Sequence, residues 1–113
     1  MKKFKKKILA IIPARSGSKG IKNKNIIKIN GKPLVFYTIK NAKNSKMISD
    51  LNGSTDSRKI KKIFEKYKVE IPFLRPKKLS TDKSLIIETL IFCLKKMEKI
   101  KQKKYDYIVL LQP

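Results

Sequence analysis

The sequence predicts an α/β protein, a mostly parallel sheet with helices on both of its faces. Two observations carry this. Two short, continuously apolar runs, residues 8–12 and 107–111, read as strands buried on both faces, because a half-exposed strand would alternate. Between them, apolar residues recur at helical spacing in three segments separated by turn residues. The resulting order, β-α-β-α-β-α-β, is that of a parallel sheet with crossover helices. At 113 residues the chain is one domain at most.

Each element has its own signal. Pro13 closes the first strand. Asn30-Gly31 is a turn dipeptide, and Pro33 suits the first position of a helix whose face is Leu34, Val35, Thr38, Ile39 and Ala42. The second strand is expected to be short or absent. Its segment reads Asp50-Leu51-Asn52-Gly53, in which Asn-Gly favours a turn and glycine loosens a strand interior. Thr55-Asp56-Ser57 is an N-cap cluster, with Asp56 itself read as a cap, ahead of a helix facing inward with Ile60, Ile63, Phe64 and Tyr67. A third strand is expected over 69–74, running into a loop bounded by Pro72 and Pro76. Asp82 is read as capping the longest helix, 82 to about 100, with Ile87, Leu90, Ile91, Leu94 and Met97 as its apolar stripe. Residues 107–111 form the last strand, and the lysine-rich leader is a frayed terminus.

Composition excludes several function classes. A formal net charge of +22 suggests nucleic acid or an acidic membrane surface. Against that, only Arg15, Arg58 and Arg75 among the thirty basic residues are arginine, the side chain that phosphate and base readers favour. The lysines are spread over helix faces and do not interleave with aromatics, so weak, salt-sensitive adsorption is expected and a specific nucleic-acid partner is not. Without histidine, the chain cannot hold a Ser-His-Asp or Cys-His nucleophile system. Cys93 is the only cysteine, which rules out an internal disulfide, and its neighbours Ile91, Phe92 and Leu94 predict a buried, inert thiol. The apolar run after the basic leader is shorter than a signal-peptide core, and no stretch is long enough to span a membrane. A soluble cytoplasmic protein is the expectation.

The chemistry concentrates where the first strand ends. Ile11-Ile12-Pro13-Ala14-Arg15-Ser16-Gly17-Ser18-Lys19-Gly20-Ile21-Lys22-Asn23-Lys24-Asn25 passes from apolar strand into small residues and spaced cations. Small residues let backbone N–H groups approach phosphate oxygens, while Arg15, Lys19 and Lys24 can offset the charge. The spacing matches neither G-x-x-x-x-G-K-[ST] nor G-x-G-x-x-G. By itself the loop reads either as an anion site or as an ordinary basic turn, and Lys19 and Lys22 also read as solvated loop charges.

Read whole, this segment resembles the opening signature of the acylneuraminate cytidylyltransferases, the CMP-sialic acid synthetases. The resemblance continues in order through Asn30-Gly31-Lys32-Pro33-Leu34, Ser54-Thr55-Asp56, Pro72-Phe73-Leu74-Arg75-Pro76, Leu79-Ser80-Thr81-Asp82 and Leu110-Leu111-Gln112-Pro113. Relatives that activate legionaminic or pseudaminic acid share most of these blocks. The resemblance implies a Rossmann-like, three-layer fold of the nucleotide-diphospho-sugar transferase type, here incomplete. Residues 1–113 would be the N-terminal nucleotide-binding part of a truncated cytidylyltransferase domain. Magnesium is the implied cofactor, with its acidic ligands and the homodimer segment of the full-length enzymes lying in the other part, so no metal ligand is assigned here.

The implied reaction transfers CMP from CTP to a nine-carbon 2-keto sugar acid of the sialic acid type and releases pyrophosphate. By the resemblance, Lys24 and Arg15 are the catalytic pair, Lys24 stabilising charge on the α-phosphate. Ala14, Arg15, Gly17, Ser18, Lys19, Gly20, Lys24, Asn25 and Arg75 bind nucleotide, and Gln112 touches the sugar. Arg75, between Pro72 and Pro76, has a second reading as a structural arginine bonding loop carbonyls. Two other functions stay open: an inactive truncated remnant, and a basic nucleic-acid-binding protein.

Overall fold

The computed structural model describes residues 6–16, 27–81 and 85–113. In chain order the elements are β1 (Ile8–Pro13), a hairpin of β2 (Lys28–Ile29) and β3 (Lys32–Pro33), α1 (Leu34–Lys43), β4 (Asp50–Ser54), α2 (Arg58–Lys66), a 3-10 turn at Lys77–Leu79, α3 (Ile86–Lys101) and β5 (Tyr107–Leu110).

β1 is apolar throughout because it is the middle strand. β4 and β5 pair with it in parallel on either side, and five of its six residues are buried. Its side chains alternate between two cores. Ile12 and Ala14 point to a cluster with Val35 and Ile39 of α1 and Ile60 and Phe64 of α2. Leu9 and Ile11 point to the opposite face and meet Cys93 and Met97 of α3. The protein is therefore three-layered, with helices on both faces of the sheet. Each fully buried isoleucine or leucine of β1 is worth about 1.5–3 kcal/mol of transfer free energy.

The helices start as their sequences dictate. Ser57 caps α2, its Oγ accepting from the Ile60 amide at 3.2 Å. Pro33 is the N-cap of α1, so the helix begins at Leu34, one residue later than expected. At α3 the Glu88 carboxylate accepts from the Leu85 amide at 3.1 Å, so the first turn holds its own entry. Asn30 and Gly31, at φ 52° and 78°, form the two-residue turn of the β2–β3 hairpin.

Three expectations are corrected. β4 is neither short nor absent: all five residues, Asp50 to Ser54, stand in register with Leu9 to Pro13. Gly53 does not loosen the strand, because a Cβ there would lie 2.7 Å from Phe64 Cδ1 and Cε1. The glycine is a seat for a ring. Conversely, 69–74 is not a strand. Pro72 has no amide to donate to a ladder, the segment pairs with no strand, and the sheet has three strands among the described residues. Its side chains still bury: Val69 and Ile71 enter the α1/α2 core, and Phe73 meets Phe92 edge-on at 5.5 Å.

The third correction concerns the face of α3. Thr89, Cys93 and Met97 point inward, whereas Ile87 and Ile91 are 53% and 46% exposed. On that side Cys93 stands beside Asn52 and Ser54 of β4 as well as against Leu9 and Ile11 of β1. The N-terminal cap read at Asp82 lies outside the described residues.

Candidate nucleotide-binding site

β1 and β4 end level with each other, Pro13 opposite Ser54. The pairing runs one residue further, the Ala14 amide donating to the Ser54 carbonyl oxygen at 2.8 Å. In open α/β sheets this carboxyl edge is where ligands bind. Here the chain leaves β1 as Ala14-Arg15-Ser16 and leaves β4 as Thr55-Asp56-Ser57.

The two exits are tied together. Asp56 is not a helix cap, since Ser57 fills that position. Its carboxylate instead accepts from the Ser16 amide at 2.9 Å and from Ser16 Oγ at 2.8 Å. Thr55 Oγ1 accepts from the Ser57 amide at 3.1 Å, fixing the backbone on either side of Asp56.

Arg75 arrives from a third segment. Its amide donates to the Thr55 carbonyl at 2.7 Å, its Nε to Ser54 Oγ at 3.1 Å and its Nη2 to the Ser54 carbonyl at 3.0 Å. Nη1 reaches the Leu79 carbonyl at 3.5 Å across the 3-10 turn. Only 6% of the residue is exposed. This is the bond set of the structural reading left open above, and it pins segment 75–79 to the end of β4. Burial pushes the guanidinium below its ordinary pKa; Cys93 and Asp56 oppose that shift, while the nearby cation Arg15 adds to it.

Behind Arg75 lies the buried side of the cluster. Cys93 is fully buried and its thiol pKa is raised by burial, with Ser54, Arg75 and Asn52 pulling it back. Asn52 is close enough to influence the thiol yet outside hydrogen-bond geometry: neither Nδ2 nor Oδ1 has a partner.

Of the residues singled out in sequence, the fold gathers Ala14, Arg15 and Arg75 at this one edge. Ala14 is buried and Arg15 half-buried. Gln112 is exposed just past β5, tied to β1 by the Leu111 amide donating to the Ile11 carbonyl at 2.9 Å. It ends a groove of about 570 Å³ between β5 and α1 that Thr38 and Asn41 also line. Gly17, Ser18, Lys19, Gly20, Lys24 and Asn25 lie outside the described residues. Sequence reasoning missed the Ser16–Asp56 pairing. The only signal available was an acid in the Thr55-Asp56-Ser57 cluster, and it reads equally well as a cap.

A family model described as Cytidylyltransferase matches residues 9–100. The chain belongs to the cytidylyltransferase family. It is 40% identical over 107 residues to a CMP-N,N'-diacetyllegionaminic acid synthase of Legionella pneumophila, covering 95% of this chain and 46% of that relative. An N-acylneuraminate cytidylyltransferase of Escherichia coli is 42% identical over 107 residues, 95% of this chain and 24% of the relative. A pseudaminic acid cytidylyltransferase of Campylobacter jejuni is 40% identical over 108 residues, 93% and 45% respectively. This cytidylyltransferase chain thus spans less than half the length of each of these relatives. In fold it is similar to a solved CMP:2-keto-3-deoxy-manno-octonic acid synthetase complexed with CTP, with a TM-score of 0.78, 21% identity and coverage of 94% of this chain and 39% of that one.

Among the described residues no helix is long and apolar enough to cross a membrane, and no group of three or more His, Cys, Asp or Glu could hold a metal ion.

Proposed function

We propose that this chain is the nucleotide-binding part of a cytidylyltransferase that moves CMP from CTP to a nine-carbon 2-keto sugar acid of the sialic acid type. The observation that carries the reading is the gathering of Ala14, Arg15, Ser16 and Arg75 at the carboxyl edge of a parallel sheet, on a chain of this family. The names of the similar relatives, which activate legionaminic, neuraminic and pseudaminic acids, support the substrate class.

In this reading the triphosphate follows the loop after β1. Backbone amides of Gly17, Ser18 and Gly20 approach its oxygens, and Arg15 and Lys19 offset its charge. The anomeric hydroxyl of the sugar acid attacks the α-phosphorus in line, forming the new P–O bond as the bond to pyrophosphate breaks. Such transfers depend on alignment and on charge stabilisation at the phosphoryl oxygens, which is the role given to Lys24 with Asn25 beside it. Arg75 acts by holding the edge on which the nucleotide rests, and Gln112 faces the acceptor sugar.

Magnesium would neutralise the leaving pyrophosphate. The described residues do not make such a site by themselves: Asp56 already accepts two bonds from Ser16, and no group of three or more acidic, His or Cys side chains stands among them to hold an ion. No step is routed through the ion.

The test is thermal. CTP with magnesium is expected to raise the melting temperature of the 113-residue chain more than ATP does, and Lys24→Ala to weaken the response to CTP. Equal responses to the two nucleotides would count against the reading.

A further inference from the structure

We propose that Asp56 is a positioning residue for the nucleotide loop, acting by shape and not by its charge. The inference rests on the nucleotide reading above and adds a residue to it. An acid is an unexpected neighbour for a triphosphate, since its charge repels the ligand. Its geometry explains its presence. The two carboxylate oxygens grip a single residue at two points, the amide and the hydroxyl of Ser16, across forty positions of sequence. One bond fixes the backbone direction of Ser16, and the other fixes its side chain. The last described residue before the glycine loop therefore leaves β1 at a set angle.

Asp56 is itself held. Thr55 Oγ1 accepts from the Ser57 amide, the Thr55 carbonyl accepts from the Arg75 amide, and the Ser54 carbonyl accepts from both Ala14 and Arg75. The carboxylate is thus anchored in the sheet edge, while Arg75 nearby offsets its charge. Asp56 and Ser16 are thereby held to each other at the point where the chain leaves the β1 edge, and transfer chemistry is sensitive to misplacement of this kind.

Shape and charge are separable by substitution. In Asp56→Asn, Oδ1 can still accept from the Ser16 amide and Nδ2 can donate to Ser16 Oγ, so the two-point grip survives without the charge. In Asp56→Ala both bonds are lost. The experiment titrates wild type, Asp56→Asn, Asp56→Ala and Ser16→Ala with CTP and magnesium, and measures exchange of the Ser16 amide proton by NMR in the same four proteins. Expected is a loss of CTP affinity of about ten-fold in Asp56→Ala, the scale of two lost hydrogen bonds and a misplaced Ser16. Asp56→Asn should restore binding to within about two-fold and keep the Ser16 amide protected.

Asp56→Asn binding as poorly as Asp56→Ala while Ser16 stays protected would overturn the role, showing that the charge itself matters. Equal CTP affinity in Asp56→Ala and wild type would overturn it too. Wild type that ignores CTP while protecting Ser16 would instead defeat the nucleotide reading, taking this role with it. A freely exchanging Ser16 amide in wild type would overturn the grip whatever CTP does.

Discussion

Gly53 lies directly beneath the ring of Phe64. A Cβ at 53 would stand 2.7 Å from two ring carbons and 3.1 Å from Ile71 Cδ1, so the strand and α2 approach as closely as they do only because position 53 has no side chain. Gly53→Ala is expected to cost about 1–3 kcal/mol, the usual range for overpacking a filled core. Adding Phe64→Leu should recover part of the loss, a coupling between touching residues that denaturant melts of the double-mutant cycle would detect. Additive losses would show that the two do not meet.

Asn52 presents the opposite case. It is fully buried opposite Ile11 with no partner for either amide atom. A buried amide left unsatisfied carries a desolvation penalty of about 1–3 kcal/mol. Asn52→Val keeps the strand, removes the orphan groups and should raise the melting temperature. A lowered melting temperature would mean that the amide is bonded in solution.

At the opposite end of β4 from Ser54, Asp50 links the strand to the segment after α3. Its carboxylate accepts from Tyr105 Oη and pairs with Lys103 Nζ, both at 2.6 Å. Burial alone would raise its pKa, but the bonds from Lys103 and Tyr105 outweigh it and the net shift is downward from 3.8. A carboxylate with a depressed folded pKa contributes stability that is complete above its unfolded value and fades as pH falls through the folded one. The protein should therefore lose stability below about pH 4, where Asp50 takes up its proton. Asp50→Asn should be less stable near neutrality and flatter across that window in melts against pH. Parallel curves for the two proteins would refute the linkage.

Arg75 should tolerate no replacement. Lysine cannot reproduce a fork that serves Ser54 Oγ, the Ser54 carbonyl and the Leu79 carbonyl together. Arg75→Lys and Arg75→Ala should each destabilise by roughly 2–4 kcal/mol, read by urea denaturation, because truncation strands buried acceptors. A loss under about 0.5 kcal/mol, ordinary for a surface site, would contradict the bonding described.

What was legible in the sequence was local. β1 and β5 announced themselves as apolar runs, though β5 lies at the edge of the sheet with Tyr107 exposed and the rest only half-buried, contrary to the expected burial on both faces. The Thr55-Asp56-Ser57 cluster announced a helix start without saying which residue caps it, Asn30-Gly31 a turn, and the neighbours of Cys93 its burial. β4 was not legible, because what justifies Asn52-Gly53 in a strand is the ring of Phe64 arriving from the next helix. The segment 69–74 has the apolar residues of a strand, yet Pro72 in its middle has no amide for a ladder and the segment pairs with no strand. On α3, Ile87 and Ile91 fit the helical period as well as Thr89 and Cys93 do. The polar underside of β4 decides between them, and no helical period records it. The site divides in the same way: the place of Arg15 at the end of β1 was readable from the apolar run before it, whereas Ser16 and Asp56 become partners only when two strands end side by side.

The central claim is that CTP occupies the carboxyl edge between β1 and β4. Backbone NMR of the chain titrated with CTP and magnesium tests it most directly. The account predicts saturable shifts centred on Arg15, Ser16 and Asp56, with Lys43, Lys68 and Lys101 at the opposite end of the sheet unmoved. Shifts confined to those lysines, or spread evenly over the basic surface, would contradict it.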